Sequence, residues 1–334
     1  MPPFAPALRR AALLVLACIA LPALAAPEFS RCVEQLRLEL PQHPKVRPET
    51  FELHTRQAQD LRTPIDTATQ SQPEFQLPIW DYLARLVDQR RIDDGRAIVE
   101  REAAALAQVS ATYRIDPATV VAIFGIESDF GRLKGRYPVV DATLGRACLG
   151  LSNRERKAHF FAALWLLQEG QVRLEEFRGS WAGAFGMTQF MPGTYVRYQA
   201  DGDGDGRIDT VHNVADALAT TANYLKSLGW VDGLPWGLEV QAPRDLARTW
   251  SSAEREHACL ASQDTGGRCR RLDQWAALGV VRADGQPLAA THRQWPGALA
   301  GLGWALLTPA GANGPAWLVS RNFQAIWNYN RADS

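Results

Sequence analysis

The sequence predicts a mainly α-helical protein with a small strand-containing insertion and one EF-hand-like acidic loop, and three observations predict it. Apolar residues recur at helical spacing between about Ile92 and Trp230. After Trp230 that period weakens, and Pro235, Pro243, Pro287, Pro296, Pro309 and Pro315 punctuate short runs such as Leu238-Glu239-Val240 and Gly279-Val280-Val281. Between Asp201 and Asp209, aspartate alternates with glycine at the spacing of a calcium loop.

The chain begins with Arg9 and Arg10 ahead of the apolar run Ala11 to Leu24, which closes on Ala23-Leu24-Ala25. This is the pattern of a secretory signal peptide cleaved after Ala25. A transmembrane anchor needs about 20 apolar residues with stop-transfer flanks. Cys18 follows Val15-Leu16-Ala17 and loosely resembles an acylation site, but Leu16 is bulky there and apolar residues continue beyond it, so an outer-membrane lipoprotein is the less favoured reading. The remaining organisation is a helical part over 26–234, a strand-containing insertion over 235–320 and a closing segment over 321–334.

The 334 residues suffice for one sizeable core plus a smaller part. The 36 basic and 36 acidic residues cancel, so no electrostatic case for nucleic acid arises. The six histidines show no zinc spacing, and nothing points to an organic cofactor. In an exported chain Cys32, Cys148, Cys259 and Cys269 can pair in three ways. Cys259 with Cys269 is the local choice, clipping the polar loop Ala261 to Arg268 and leaving Cys32 with Cys148; four unpaired thiols are the alternative.

Taken in order, Asp116-Pro117 starts a helix, with Asp116 as N-cap and Pro117 at the first helical position. Steps of 100° place Val120, Ile123, Phe124 and Glu127 on one face and Asp129 nearly opposite Glu127; Gly131 after Phe130 reads as the stop. A carboxyl on an apolar stripe is desolvated, stays protonated near neutral pH and can serve as a general acid. The bland alternative is a glutamate that reaches solvent or pairs with Arg132. Ser152-x-x-Glu155 reads as a capping box opening a helix that Gly170 ends, and Val214 to Leu228 forms another that stops at Gly229. Between these helices lies the segment Gly179 to Pro192. Its small residues permit close backbone approach, Gln189 offers an amide, and Trp181, Phe185 and Phe190 offer flat faces for a ligand ring. Such a segment is also a common packing turn.

In the acidic loop, Asp201, Asp203, Asp205 and Asp209 supply oxygens at positions 1, 3, 5 and 9. Gly206 stands at 6 and the Arg207 carbonyl at 7. His212 replaces the usual glutamate at position 12, and Asp216 could fold back to close the site. The expected ion is a structural Ca2+. Without an ion, the aspartates would cap backbone N–H groups.

Gly125-Ile126-Glu127-Ser128-Asp129-Phe130-Gly131, then Ala182-Gly183-Ala184-Phe185-Gly186-Met187-Thr188-Gln189-Phe190-Met191-Pro192, then Ala222-Asn223-Tyr224-Leu225 follow in order. Together with Asn322-Phe323-x-Ala325-Ile326-x-x-Tyr329-Asn330, they resemble the lytic murein transglycosylase B family. The resemblance implies a lysozyme-like catalytic core in a periplasmic enzyme. It implies Glu127 as the single acid/base, with Ser128, Gln189, Phe190, Tyr224, Tyr329 and Asn330 lining a glycan cleft. The implied reaction cleaves the MurNAc–GlcNAc β-1,4 bond of peptidoglycan and leaves 1,6-anhydro-MurNAc ends. Glycan strands are the implied partner, with other cell-wall enzymes as further candidates. A hydrolytic muramidase and an inactive peptidoglycan-binding protein are the competing functions, whereas a calcium-signalling module would want a second loop. Similar proteins continue past the Tyr-Asn pair, whereas this sequence ends at Ser334, and Trp327 stands where a smaller residue is expected.

Overall fold

The computed structural model describes residues 25–71, 79–249, 269–288 and 301–329. Residues 1–24 of the expected signal peptide, Cys259 and Asn330 lie outside these. No helix among the described residues is long and apolar enough to cross a membrane.

Helices dominate: α1 (Ala25–Glu39), α2 (Pro48–Arg56), α3 (Arg62–Gln70), α4 (Ile79–Leu86), α5 (Gln89–Arg101), α6 (Ala103–Tyr113) and α7 (Pro117–Ser128) come first. They are followed by α8 (Val139–Leu149), α9 (Arg154–Gln168), α10 (Pro192–Tyr198) and α11 (Val214–Ser227). A two-residue antiparallel pair, β1 (Tyr137–Pro138) with β2 (Arg178–Gly179), ties the chain leaving α7 to the chain leaving α9. The later part holds β3 (Gly237–Gln241), α12 (Arg244–Thr249), α13 (Leu272–Ala277), β4 (Val281–Arg282), β5 (Ala305–Leu307) and β6 (Ala316–Val319), and the chain closes on α14 (Arg321–Tyr329). The four strands form one antiparallel sheet ordered β4-β3-β6-β5. Gly237 faces Val319 and Val240 faces both Ala316 and Arg282. The short apolar runs between prolines are the strands.

Three large apolar clusters make up most of the interior among the described residues. The first gathers Leu36, Phe51, Leu144, Phe160, Leu164, Phe177, Phe185 and Tyr195 around α8, α9 and α10. The second gathers Val109, Val120, Phe124, Leu218, Leu225 and Ala325 between α6, α7, α11 and α14. The third, with Leu272, Trp275, Trp304 and Leu318, lies under the sheet. A disulfide between Cys32 and Cys148 joins α1 to α8 with the Cα atoms 5.6 Å apart. Cys269 is also disulfide-bonded, and the expected partner Cys259 falls outside the described residues.

Local chemistry explains the helix ends. The Asp116 side chain accepts from Thr119 N ahead of Pro117, as expected. For α9 the expectation was one residue early: Asn153, not Ser152, is the N-cap, its side chain accepting from Arg156 N at 3.1 Å. Asn213 caps α11 in the same way, and Gly170 and Gly229, at φ +65° and +95°, end α9 and α11 as glycine C-terminal stops do. The fully buried Asn322 fastens α14 to the turn after α11: its Oδ1 accepts from Val231 N at 2.7 Å and its Nδ2 donates to Val231 O at 2.9 Å and to Leu234 O. That clasp sets where Tyr329, at the far end of α14, arrives.

Candidate active site

The site forms where α7 ends, because there the chain leaves the helix abruptly. Asp129 and Phe130 both take left-handed backbone, at φ +50° and +57°, before Gly131 at +82°. The helix thus stops at Ser128, earlier than the glycine alone suggests. Each non-glycine residue in that region costs roughly 1 kcal/mol or more. The fold holds them by packing: the Phe130 ring lies edge-on to Phe124 at 5.6 Å and covers Gly125, where a Cβ would come within 2.7 Å of the ring.

Glu127, on the last turn, is half-buried. Among the described residues its carboxyl has no hydrogen bond or ion pair. Desolvation alone therefore acts on it and pushes its pKa up to about 7. Arg132, the alternative partner, is turned away: its guanidinium binds Asp129 at 2.9 Å and Asp94 at 2.6 Å. Charge-assisted hydrogen bonds from Arg132, Arg90 and Arg91 hold the Asp129 carboxyl well below the usual carboxylate range. The two acids two residues apart thus sit in opposite environments.

Ser128 does not line open space. It is 1% exposed, its hydroxyl donating to the Met187 carbonyl and accepting from Gly131 N at 2.9 Å. It couples the end of α7 to the glycine-rich segment. That segment doubles back on itself, with Phe185 and Phe190 exchanging backbone bonds at 2.9 Å. Gly186, at φ +79°, lies so close to Thr210 that a Cβ would stand 3.0 Å from its carbonyl oxygen. Contrary to expectation, Phe185 and Phe190 do not present faces to a ligand. They are 1% and 3% exposed and belong to the core, Phe185 edge-on to Phe177 and Tyr195. Of the three aromatic rings only Trp181 is half-buried, beneath the Arg146 guanidinium.

Gln189 is half-buried at φ +50°, and its amide nitrogen donates to Gly186 O at 2.8 Å and to Lys134 O at 3.4 Å. Its side-chain oxygen takes no donor among the described residues. An aromatic row comes from the other side: Phe190, Tyr224 and Tyr329 lie 5.3 to 5.7 Å apart ring to ring, and Tyr198 extends the row at 4.9 Å from Tyr224. The Tyr329 hydroxyl donates to Thr188 O at 2.9 Å. Burial, and then the charge of Glu127, push its phenol well above the usual range, so Glu127 and Tyr329 share one site. Sequence reasoning missed Tyr198, whose spacing to Tyr224 carries no periodic signal, and the Asp129 cluster, two of whose arginines come from a separate helix.

The acidic loop packs directly behind this site. Thr210 O accepts from Met187 N at 2.9 Å, and the Met187 carbonyl accepts from Ser128, so a hydrogen-bonded line runs from the loop to the residue beside Glu127. Candidate ligand oxygens of Asp201, Asp203 and Asp205 lie within 4.8 Å of one another. His212 stands against Asp209 at 2.9 Å. The Asp216 carboxylate, 1% exposed, accepts from Gly202 N and Asp209 N, both at 2.7 Å, and so braces the two ends of the loop.

The family model described as Transglycosylase SLT domain matches residues 28–334. The membrane-bound lytic murein transglycosylase B of Escherichia coli (strain K12) is 32% identical over 157 residues, 46% of this chain and 42% of that protein, so the match spans less than half of that relative's length. SltB3 from Pseudomonas aeruginosa, solved in complex with NAG-anhNAM-pentapeptide, superposes with a TM-score of 0.73 at 36% identity, covering 91% of this chain and 75% of that one. The Escherichia coli lytic transglycosylase Slt35, solved in complex with calcium, superposes at 0.67 with 23% identity, covering 92% and 88%, and bears on the fold alone.

Proposed function

The chain belongs to the transglycosylase SLT domain family, and we propose on that basis that it is a lytic transglycosylase of peptidoglycan with Glu127 as its acid/base. The observation that carries the reading is the Glu127 carboxyl: half-buried, without a protein partner among the described residues, and shifted to about 7. An acid in that state keeps its proton near neutral pH and becomes a competent base once the proton has gone. Glycosidases that use water usually work with two carboxylates, but the nearest in sequence, Asp129, is committed to three arginines.

The substrate then supplies the second group. Glu127 donates its proton to the oxygen joining MurNAc C1 to GlcNAc as the C1–O bond breaks, and the 2-acetamido carbonyl oxygen closes on C1 to hold the positive charge. The Glu127 carboxylate next removes the proton from the C6 hydroxyl. O6 attacks C1, the acetamido oxygen leaves, and a 1,6-anhydro ring forms with no water consumed. SltB3, 36% identical to the chain, was solved in complex with NAG-anhNAM-pentapeptide, a ligand that carries an anhydro sugar, which supports this reading. Gln189, Tyr224, Tyr329 and Asn330 are the residues assigned to the glycan cleft; Ser128 and Phe190 support it from beneath. The export signal over 1–25 delivers the enzyme to the periplasm, where its substrate lies.

The acidic loop suits a calcium ion. Three carboxylates converge, Gly204 and Gly206 at φ +77° and +83° make the sharp turns, and Asp216 clasps both ends. Asp201, Asp203, Asp205, Asp209 and the Arg207 carbonyl would hold it, with Asp216 as brace, and its contribution would be to stiffen the loop behind Met187. The test of the enzymatic reading is Glu127→Gln, which preserves size and removes the transferable proton. Turnover of purified peptidoglycan should vanish while the fold stays; retention of even a tenth of wild-type turnover would remove Glu127 from the role.

A further inference from the structure

The cluster that clamps the end of α7 has no part in the chemistry just described. Asp129 is 8% exposed, yet its carboxylate receives Arg132 Nε at 2.9 Å and Nη2 at 3.1 Å, Arg90 Nη2 at 3.2 Å and Arg91 Nε at 3.3 Å. Asp94, on α5, completes the cluster by accepting from Arg132 at 2.6 Å and Arg90 at 3.0 Å. Two arginines thus come from the first turn of α5 and one from the loop beyond α7. Arg91 is fixed further, through Asp88, which accepts its backbone N–H at 2.7 Å, and through the Leu86 carbonyl.

A carboxylate at a helix C-terminus opposes the helix dipole, so Asp129 has no local electrostatic reason to stand there. It also occupies a left-handed position, and strained backbone of that kind persists where its surroundings over-determine it. Glu127 lies on the last helical turn, the part of a helix that frays most readily. Without the cluster, neither its backbone nor the direction of its carboxyl is held from the α5 side.

We propose that Asp129, through its salt-bridge cluster with Arg90, Arg91, Arg132 and Asp94, is a positioning residue that locks the C-terminal turn of α7 against α5 and so fixes Glu127 on the scissile bond. It touches no substrate and transfers no proton. The inference rests on the assignment of Glu127 as acid/base and adds the device that aims it. Misplacement of a reacting group by about 1 Å can cost on the order of a hundredfold in rate, so loss of the clamp should act on turnover more than on binding.

The test is Asp129→Asn, assayed on purified peptidoglycan well below the variant's unfolding midpoint. Asparagine accepts left-handed backbone readily, so the turn is kept and only the charge is lost. The expected result is a fall in kcat of at least tenfold, KM within about twofold of wild type, and an unchanged far-UV circular dichroism spectrum. Arg91→Lys, which keeps the charge and loses the planar fork, should give a smaller fall with the same unchanged KM. A role in stability alone would lower the melting temperature and leave kcat per folded enzyme at the wild-type value, which would overturn the proposal. So would a rise in KM at constant kcat, since that marks a substrate contact. If Asp129→Asn does not fold, Arg91→Lys and Arg132→Gln are judged by the same split. Wild type that turns over no peptidoglycan would sink the Glu127 assignment and this inference together, whereas active wild type with an equally active Asp129→Asn variant would sink this inference alone.

Discussion

A carboxyl held near pKa 7 inside a fold is a stability burden as well as a catalytic asset, and the burden is measurable. In the unfolded chain Glu127 titrates at its ordinary value of 4.5, whereas in the folded protein it titrates at about 7. A group whose folded pKa is raised contributes stability that is fully present below the unfolded value. As pH climbs from 4.5 to 7, the unfolded chain loses its proton and the folded one keeps it, so stability falls by about 1.4 kcal/mol per pH unit. Above 7 the loss is complete, and over the whole window it amounts to about 3 kcal/mol. Glu127→Gln cannot titrate and should escape this loss. Urea unfolding of both proteins at several pH values between about 4 and 8 gives the difference directly, and every other titrating group cancels from it. Relative to wild type, the variant should gain about 3 kcal/mol across that range, the gain concentrated between 4.5 and 7, whatever fixed offset the amide introduces. A difference that stays flat to within 1 kcal/mol would mean that Glu127 is solvated, and the physical case for a retained proton would collapse.

Three other outcomes follow from the same structure. The Cys32–Cys148 bridge closes a loop of 116 residues, so Cys32→Ser with Cys148→Ser should lower unfolding free energy by about 4 kcal/mol, and a loss under 1 kcal/mol would show that the bridge is not formed. Calcium binding at the acidic loop should raise the melting temperature at millimolar concentration, with stabilisation of about 2.7 kcal/mol at a hundredfold excess over Kd and much less from magnesium; Asp203→Ala together with Asp205→Ala should abolish the rise, and a rise that survives would place the ion elsewhere. Asn322→Ala removes three buried hydrogen bonds that seat α14, and should cost about 3 kcal/mol in chemical denaturation; a cost under 1 kcal/mol would contradict the clasp.

Much of the helical framework was legible because its punctuation is local chemistry. Asp116-Pro117, Gly170 and Gly229 each act within one turn of where they stand, and the helix ends fall there. Ser152 and Asn153 are both good caps in adjacent positions, and only the backbone decides between them. Glu127 was legible from its apolar stripe, since burial follows from helical period. The roles of Phe185 and Phe190 were not, because an aromatic beside glycines can face a ligand or the core, and α8 to α10, which bury them, lie on both sides of the segment in sequence. The partners of Ser128 and Asp129 were not legible for the same reason: Met187 and the α5 arginines that claim them are distant in sequence.

In the proposed reaction the C6 hydroxyl of the substrate, not water, captures the cleaved sugar. Digestion of purified peptidoglycan in water enriched in oxygen-18, followed by mass spectrometry of the released fragments, tests it most directly. The expected fragments end in 1,6-anhydro-MurNAc, are one water lighter than the hydrolysed equivalents and free of the heavy isotope, and are not released by Glu127→Gln. Reducing ends carrying one oxygen-18 atom each would contradict it and identify a hydrolytic muramidase instead.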